Sequence, residues 1–530
     1  MADYRSFRSE LQSRNAMDAA LTPKATSSQE AEMNTRKGHP SPLGYLLVLC
    51  VITLLANANP VSAAYANVAP ATPPVAAPAL ADPQELETFM DGLMASQLAE
   101  QHVAGAVVVV VKGGQVLLAK GYADVDKRIP VDAERTLFRT GSVTKLFTWT
   151  AVMQLVEQGK IDLQADVNTY LTRFQIPATY PQPITMLDLM SHTPGFEDLM
   201  KYQVASSVGE MTSLEDYLAQ NIPVRVYPPG QVPAYSNYGA ALAGYIVEQV
   251  SGEPYAQYID AHILAPLGMD HSTMEQPLPE SLAPDMSQGY SFDGAYQAEE
   301  FDLLQVSPAG ALSASGRDMA RFMLAHLQDG EYDSARILKA ETAQLMHTQS
   351  YTFDPALPGM AHGFMESQIN GQRLIGHGGD LSSFHTLLSL IPEEQTGIYV
   401  SYNSTPGPQA RETLLAAFMD RYFPAAPLSQ PQPTADSASR VARYFGDYAI
   451  SRMAYSTAEK ALYLVSILTV KSGPDNTLLI PNLLEPSMNV TLVEVRPLVM
   501  QNMRTGELVV FHEDARGQVH FAALGSMPHT

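Results

Sequence analysis

The chain is 530 residues long and 46% of its residues are hydrophobic, so it exceeds one ordinary domain and can bury a large core. Its formal net charge is −23 at pH 7. A polyanion repels nucleic acid and anionic membranes, so neither is an expected partner. The single cysteine, Cys50, lies in an N-terminal apolar run, which excludes a disulfide framework for the remainder of the chain.

Residues 1–63 have the pattern of a leader that ends in a secretory signal peptide. A basic pair at 36–37 precedes an apolar run at 44–56, which is too short for the ~20 helical residues that cross a bilayer. Residues 61–63 (Val-Ser-Ala) then form an A-x-A-like cleavage site. We therefore expect a secreted or periplasmic protein without a stable membrane span in its mature form, with Met33 as an alternative start.

The next segments predict a spacer, a helix and a hairpin. Residues 64–83 are rich in alanine and proline, which is typical of a disordered spacer. Residues 83–101 have helical periodicity. The β-branched run 106–111, the pair Gly113-Gly114 and the run 115–122 predict a β-hairpin with a two-glycine turn.

Ser142 and Lys145 open a strongly helical run that we expect to extend over about 142–158. A serine three residues before a lysine lies one turn away on the same helix face, so the two side chains can touch. A lysine held away from water can act as the base that activates a serine hydroxyl. The alternative is an ordinary helix-capping serine with a solvated lysine. The chain lacks G-x-S-x-G, which leaves Ser142 as the nucleophile candidate.

Two further motifs favour the catalytic interpretation. Tyr235 and Asn237 are two residues apart after a turn-rich segment, so in an extended loop both side chains point the same way. That arrangement suits a phenol that shares a proton with the serine and lysine, and an amide directed at the lysine. His377-Gly378-Gly379 precedes Asp380 in a β-rich region, where glycines let a strand edge approach a ligand closely.

The overall pattern predicts an α/β (α+β) protein with a small additional domain. Residues 160–330 are mainly helical, and 373–403 return to strands that we expect to join the N-terminal hairpin in one antiparallel sheet. Residues 424–436 form a proline-rich linker. Residues 437–530 alternate strand-like runs, such as 463–470 and 507–512, with turns. No catalytic constellation is visible in this last segment, so we expect it to pack against the enzyme or shape its entrance.

The order Ser-x-x-Lys, Tyr-x-Asn, His-Gly-Gly resembles the penicillin-recognising serine hydrolases. These include class C β-lactamases, D-alanyl-D-alanine carboxypeptidases, D-aminopeptidases and the family VIII carboxylesterases. Further resemblance lies in 184–195, 239–248 and 307–313. The resemblance implies a β-lactamase/transpeptidase-like hydrolase domain over 84–423.

It also implies two-step acyl transfer, in which Ser142 attacks a carbonyl while Lys145 and Tyr235 accept and relay its proton. By the same resemblance, the backbone N–H groups of Ser142 and Asp380 hold the oxyanion, and Asn237 orients the lysine and the substrate. The sequence contains no metal-ligand spacing such as H-E-x-x-H, so no cofactor or metal is expected.

Substrate choice depends on one departure from the family. Dedicated β-lactamases and carboxypeptidases of this type usually carry Lys-Thr-Gly in the third motif, whose lysine holds the substrate's carboxylate. His377, with a reference pKa of ~6.5, supplies no permanent charge. We therefore expect a carboxylesterase acting on small, short-chain esters, with weak β-lactam hydrolysis. The alternatives are a class C-like β-lactamase or a D-amino-acid-specific peptidase, and more remotely a non-catalytic binding relative; the oligomeric state stays open.

Overall fold

The computed structural model describes residues 80, 82–123, 125, 130–426, 431–482, 489–514 and 517–524. The predicted leader and nearly all of the predicted spacer lie outside these residues, as does part of the predicted linker. Within the described chain, no helix is both long enough and apolar enough to cross a membrane.

The described helices are α1 (Pro83–Glu100), α2 (Thr144–Glu157), α3 (Met186–Met190), α4 (Leu214–Gln220), α5 (Asn237–Ser251), α6 (Tyr255–Ile259), α7 (Ser307–Gly310), α8 (Gly316–Leu327), α9 (Ala340–His347), α10 (Gly407–Tyr422) and α11 (Ser437–Arg440). Among the shorter helical turns, two matter for the site: the 3₁₀ turns Gly141–Val143 and Ala458–Ser466.

The described strands are β1 (Gly105–Lys112), β2 (Gln115–Ala123), β3 (Phe138–Arg139), β4 (Val204–Ala205), β5 (Ser272–Thr273), β6 (Tyr290–Phe292), β7 (Tyr296–Ala298), β8 (Leu303–Leu304), β9 (Ser313–Ala314), β10 (Glu331–Tyr332), β11 (Ala335–Arg336), β12 (Gln349–Tyr351), β13 (Met360–Ala361), β14 (Met365–Ile369), β15 (Gln372–Asp380), β16 (His385–Ile391), β17 (Thr396–Tyr402), β18 (Gly446–Tyr448), β19 (Leu468–Ser472), β20 (Leu478–Ile480), β21 (Val490–Arg496), β22 (Val499–Asn502), β23 (Leu508–Glu513) and β24 (Val519–Leu524).

The central sheet joins both ends of the catalytic part of the chain. Its eight strands have the order β12-β13-β14-β15-β16-β17-β1-β2. β17 pairs antiparallel with β1, with Val108 opposite Val400, so the late strands continue the N-terminal hairpin as predicted. The hairpin turns at Gly113 and Gly114, whose φ angles of 56° and 82° are those a two-residue turn requires.

Strand β1 is buried on both faces because helices cover both sides of the sheet. Ala106, Val108 and Val110 pack with apolar residues of α1 and α10. Val107, Val109 and Val111 belong to a second, larger cluster that includes α2 and α8. The alternation of Cβ atoms along a strand therefore divides one apolar run between two cores. The predicted α/β (α+β) fold is confirmed.

Helix α2 lies within the larger core and is buried on almost its whole circumference, including Trp149. Its α-helical part begins at Thr144, two residues later than predicted, because Ser142 lies in the 3₁₀ turn Gly141–Val143. The nucleophile candidate thus lies at the turn that leads into the helix.

The C-terminal segment forms its own seven-stranded antiparallel sheet in the order β18 to β24. The prediction of a strand over 463–470 is wrong in its first half, which belongs to the 3₁₀ turn Ala458–Ser466. The Thr457 side chain caps this turn by accepting from the Glu459 N–H. The Glu459 carboxylate accepts from the backbone N–H groups of Met200 and Lys201, both at 3.0 Å. The turn therefore contacts a distant segment of the catalytic domain.

Candidate active site

The turn that carries Ser142 is fixed by hydrogen bonds on both sides. The Thr144 hydroxyl donates to the Gly141 carbonyl at 2.6 Å and accepts from the Leu312 N–H at 3.1 Å. The Thr140 N–H in turn donates to the Leu312 carbonyl at 2.9 Å. These bonds tie the turn to the segment after α7, so the serine occupies a preorganised position.

Lys145 is fully buried and surrounded by oxygen atoms. Its Nζ lies 3.0 Å from Ser142 Oγ, 2.8 Å from Asn237 Oδ1 and 2.7 Å from the Ala309 carbonyl oxygen. Burial, reinforced by the positive charge of Arg452, lowers the pKa of Lys145 well below its ordinary value. A neutral amine has two N–H donors and one lone pair. With the donors directed at Asn237 and Ala309, the lone pair is available to the serine hydroxyl.

Asn237 is oriented by a residue that the sequence did not single out. Its Nδ2 donates to Gln203 Oε1 at 3.0 Å, which fixes the amide so that Oδ1 faces Lys145. Gln203 is itself buried, and its Nε2 donates to the Leu199 carbonyl. Neither the spacing nor the composition around Gln203 marked it as functional, because its role depends on a contact 34 positions along the chain.

Tyr235 is buried next to the nucleophile and the lysine. Lys145 Nζ lies 4.7 Å from the centroid of its ring. Burial raises the pKa of Tyr235, although a hydrogen bond with Ser142 opposes that rise. The environments of Lys145 and Tyr235 thus move their pKa values in opposite directions, which is the pattern of a base beside a proton donor.

His192 positions the loop that carries this tyrosine. Its Nδ1 accepts from the Ser236 N–H at 3.2 Å, and its ring lies 4.3 Å from the Tyr235 ring. His192 therefore supports the loop of the second motif.

Strand β15 brings the third motif directly against the nucleophile turn. A Cβ atom on Gly379 would lie 2.0 Å from the Thr140 carbonyl oxygen and 3.0 Å from the Ser142 backbone nitrogen. A Cβ atom on Gly141 would lie 2.9 Å from the Asp380 backbone nitrogen. The absence of side chains at both glycines permits this close approach. The two backbone nitrogens expected to hold the oxyanion thus belong to segments in direct contact.

The remaining residues of the third motif have distinct surroundings. His377 is buried, with its ring 5.9 Å from that of Tyr235. Gly378 faces Arg411, 3.7 Å from where a Cβ would lie. The Asp380 carboxylate accepts from Arg411 at 2.9 and 3.1 Å and from His385 Nδ1 at 2.7 Å. Its charge is therefore directed at the protein, while its backbone nitrogen faces the serine turn.

The C-terminal segment reaches this site through residues 449–460, which we call the docking loop. Ser451 Oγ donates to the Pro233 carbonyl at 2.6 Å, close to the second motif. The Glu197 carboxylate accepts from the Tyr455 N–H at 2.7 Å and the Ser456 N–H at 2.8 Å. The Asp198 N–H donates to the Met453 carbonyl at 3.1 Å. The sequence predicts that this segment packs against the enzyme or shapes its entrance; in the structure, the loop also brings a charged residue to the site.

That residue is Arg452. Its Nε donates to Asp198 Oδ2 at 2.7 Å, and its Cζ lies 4.7 Å from the centroid of the Tyr235 ring. The arginine is 27% exposed, whereas the carboxylate of Asp198 is 3% exposed. The sequence does not mark Arg452 as functional, because it lies outside the family motifs in a segment without any recognisable catalytic pattern.

Comparisons with known proteins show which family the chain is similar to. Residues 87–418 match the family described as Beta-lactamase. Protein flp of Staphylococcus aureus strain MW2 is 26% identical over 321 residues, which make up 59% of this chain and 62% of that protein. The chain therefore matches less than two thirds of the length of this curated relative.

Two solved structures have a similar fold. The crystal structure of SurE has a TM-score of 0.59 and 22% identity, and the match covers 84% of this chain and 99% of that chain. A β-lactamase/D-alanine carboxypeptidase from Pseudomonas syringae has a TM-score of 0.53 and 19% identity, covering 65% of this chain and 100% of that chain. The larger coverage of SurE shows that its similarity extends beyond the residues of the family match. With the family match spanning more than half of its length and the three motifs meeting around one buried lysine, this chain belongs to the Beta-lactamase family, which has serine hydrolase members.

Proposed function

We propose that the protein is a carboxylesterase that hydrolyses small esters through an acyl-enzyme on Ser142. The observation that supports this most directly is the position of Lys145, buried 3.0 Å from Ser142 Oγ with its N–H groups directed at Asn237 and Ala309. A buried neutral amine in that position can accept the serine proton at neutral pH.

The reaction begins when Ser142 Oγ attacks the ester carbonyl carbon and its proton passes to Lys145 Nζ. The backbone N–H groups of Ser142 and Asp380 stabilise the resulting oxyanion, a contribution typically of about 10²–10³ per donor in turnover. Tyr235 then donates its proton to the departing alkoxide and regains one from Lys145. A water molecule then attacks the acyl carbon and gives a proton to the Lys145 and Tyr235 pair. The bond to Ser142 Oγ breaks, Ser142 regains its proton from that pair, and the acid is released.

Hydrolysis of esters is the first choice because the third motif contributes two glycines and a histidine. It therefore lacks the lysine that holds the substrate's carboxylate in dedicated β-lactamases. A second candidate is the hydrolysis of β-lactams or of amides of D-amino acids. It is favoured by Arg452, which places a permanent cation beside Tyr235. The paired positions of Ser142, Lys145 and Tyr235 favour either activity over a role in binding alone.

The test is a hydrolysis panel run on the mature protein. It comprises p-nitrophenyl esters of increasing acyl length, nitrocefin, benzylpenicillin and D-amino-acid p-nitroanilides. We expect short-chain esters to have the highest kcat/KM, and Ser142→Ala to abolish turnover while Ser96→Ala, a serine on α1, retains it. A fluorophosphonate should label the wild type at Ser142 alone. Faster cleavage of nitrocefin or benzylpenicillin than of any ester would promote the second candidate.

We also propose that the protein is exported, on the basis of the apolar run and the cleavage-site pattern that end near residue 63. Expression in a Gram-negative host should yield periplasmic or extracellular protein whose N-terminus lies near Ala64. Cytosolic protein with an intact N-terminus would contradict the proposal.

A further inference from the structure

The guanidinium of Arg452 is hydrogen-bonded through Nε, and its terminal amino groups are available to a further acceptor. Its Nε donates to the buried carboxylate of Asp198 at 2.7 Å, which anchors the group beside Tyr235. Among the described residues, no hydrogen bond to its two terminal amino groups is present, and the side chain is 27% exposed. A planar guanidinium carries five N–H donors, so one buried partner leaves a fork of donors for a second.

The fork lies at the reacting centre. Arg452 Cζ and Lys145 Nζ are each 4.7 Å from the centroid of the Tyr235 ring, and Lys145 Nζ is itself 3.0 Å from Ser142 Oγ. The other charged or titratable side chains described against this ring are His192 and His377. Because Lys145 works as a neutral base, Arg452 is the permanent cation among these neighbours.

An interdomain contact alone does not account for this position. The docking loop is already held by bonds from Ser451, Tyr455 and Ser456 and by the Met453 carbonyl, none of which requires a cation at the site. Asp198 offsets one positive charge, so the pair suits a monoanion better than a dianion. Among monoanions, a carboxylate matches the guanidinium fork with two parallel hydrogen bonds.

We infer that Arg452 binds a carboxylate of the substrate. This inference rests on the proposed hydrolysis at Ser142 and narrows its substrates to esters and related acyl compounds that carry a free carboxylate. The C-terminal domain thereby contributes a specificity-determining residue to an active site whose reacting groups all come from the catalytic domain.

Two pairs of aryl esters test the inference, each pair differing only in charge. The first pair, 3-carboxyphenyl acetate and 3-carbamoylphenyl acetate, places the group on the leaving side. The second, the monophenyl ester of glutaric acid and the corresponding phenyl ester of glutaramic acid, places it on the acyl side. In one pair, we expect the wild type to have a kcat/KM about 10- to 100-fold higher for the carboxylate than for the amide, as for a charge-assisted bidentate bond.

Arg452→Gln should reduce that ratio to near one, and Arg452→Lys should retain part of it. Because Arg452→Gln leaves the Asp198 carboxylate buried without its partner, the double variant Arg452→Gln with Asp198→Asn removes both charges and should give the same low ratio. The matched control is Arg496→Gln, which should keep the wild-type ratio. Arg496 is another arginine of the C-terminal domain, and it donates to the Asp354 carboxylate of the catalytic domain at 3.1 Å.

The outcomes separate this inference from the proposed function. Hydrolysis of the neutral esters by the wild type with ratios near one in both pairs would overturn the role of Arg452 and leave the esterase proposal standing. A wild-type ratio that persists in both Arg452→Gln and the double variant would do the same. No hydrolysis of any of the four esters would overturn the proposed function itself.

Discussion

At the scale of single residues, the site works by giving neighbouring groups different proton affinities. Burial and Arg452 lower the pKa of Lys145, and burial raises that of Tyr235. The lysine must be neutral to accept the serine proton. The fraction of neutral Lys145 rises as pH increases through its lowered pKa. The fraction of active enzyme therefore increases with pH and decreases in acid.

We therefore expect kcat/KM for a neutral ester to decline on the acid side as Lys145 becomes protonated. Lys145→Ala and Tyr235→Phe should each lower turnover by about 10² or more, and the double variant should lose little beyond either, because both groups serve one proton path. Steady-state pH profiles measure both effects, with Lys160→Ala, an exposed lysine after α2, as the control. Near wild-type turnover in either single variant would contradict the assignment.

Gln203 should act as a positioning residue through Asn237. Gln203→Ala removes the acceptor at 3.0 Å from Asn237 Nδ2, which lets the amide rotate away from Lys145. We expect kcat to fall by about 3- to 10-fold, the value of one ordinary hydrogen bond, with little change in KM. Gln203→Glu keeps an acceptor oxygen and should restore part of kcat. Equal losses in both variants would indicate a purely structural role.

At the scale of elements, the approach of β15 to the Ser142 turn depends on glycine. Gly379→Ala would place a Cβ atom 2.0 Å from the Thr140 carbonyl oxygen, so the strand and the turn must separate. We expect turnover to fall by about 10²–10³ through displacement of an oxyanion donor. In Gly378→Ala the new Cβ atom would lie 3.7 Å from side-chain atoms of Arg411, an ordinary contact distance. This variant should therefore lose much less stability than Gly379→Ala. Thermal unfolding and active-site titration separate the two effects; equal melting temperatures would contradict the steric argument.

Three helices meet at a pair of histidines, of which His326 is buried and His347 is half-buried. His326 on α8 lies 3.2 Å from Thr150 Oγ1 on α2 and 3.4 Å from His347 at the end of α9. Burial lowers the pKa of His326 well below its ordinary value, and burial together with Arg373 lowers that of His347 to about 4. Both side chains are therefore neutral in the folded protein.

This pair predicts a loss of stability in acid. The unfolded chain binds these protons below pH ~6.5 while the folded chain does not, so stability should fall from about pH 6.5 towards pH 4. For His347 the upper limit is about 3 kcal/mol. His347→Gln should flatten the fall in melting temperature, whereas the exposed His102→Gln should leave it unchanged. A wild-type melting temperature that stays constant across this range would contradict the prediction.

At the scale of the whole molecule, the C-terminal domain completes the active site through the docking loop. Glu197 is its main anchor, since the carboxylate accepts from the Tyr455 and Ser456 N–H groups and also from the Val224 N–H at 3.2 Å. Removing it deletes part-buried hydrogen bonds to a charged group, each of which typically contributes about 1.5–3 kcal/mol.

Glu197→Ala should therefore loosen the loop and displace Arg452 from Tyr235. We expect faster limited proteolysis within 449–460 and a lower kcat/KM, with Glu197→Gln intermediate because it keeps one acceptor oxygen. The exposed Glu513→Ala, which removes a partner of Arg443 within the C-terminal domain, is the control. Unchanged cleavage of the loop in Glu197→Ala would contradict this role.

Local sequence determined the parts of the protein that depend on short-range rules. The paired glycines specified the first hairpin, and a continuous apolar run gave β1 two buried faces. Ser142 and Lys145 were predictable as partners because a helix puts residues three apart on one face. The three motifs in order also predicted the family and the fold, and they supplied the candidate residues of the site.

Tertiary structure decided what depends on contacts between distant segments. The lowered pKa of Lys145 arises from complete burial and from the positive charge of Arg452, and neither follows from the spacing to Ser142. Gln203 and Arg452 act through contacts made only when their segments pack beside the second motif. Charge was the property that the sequence predicted least well: the cation missing from the third motif comes instead from the C-terminal domain, because electrostatic interactions depend on distance in space and not on position along the chain.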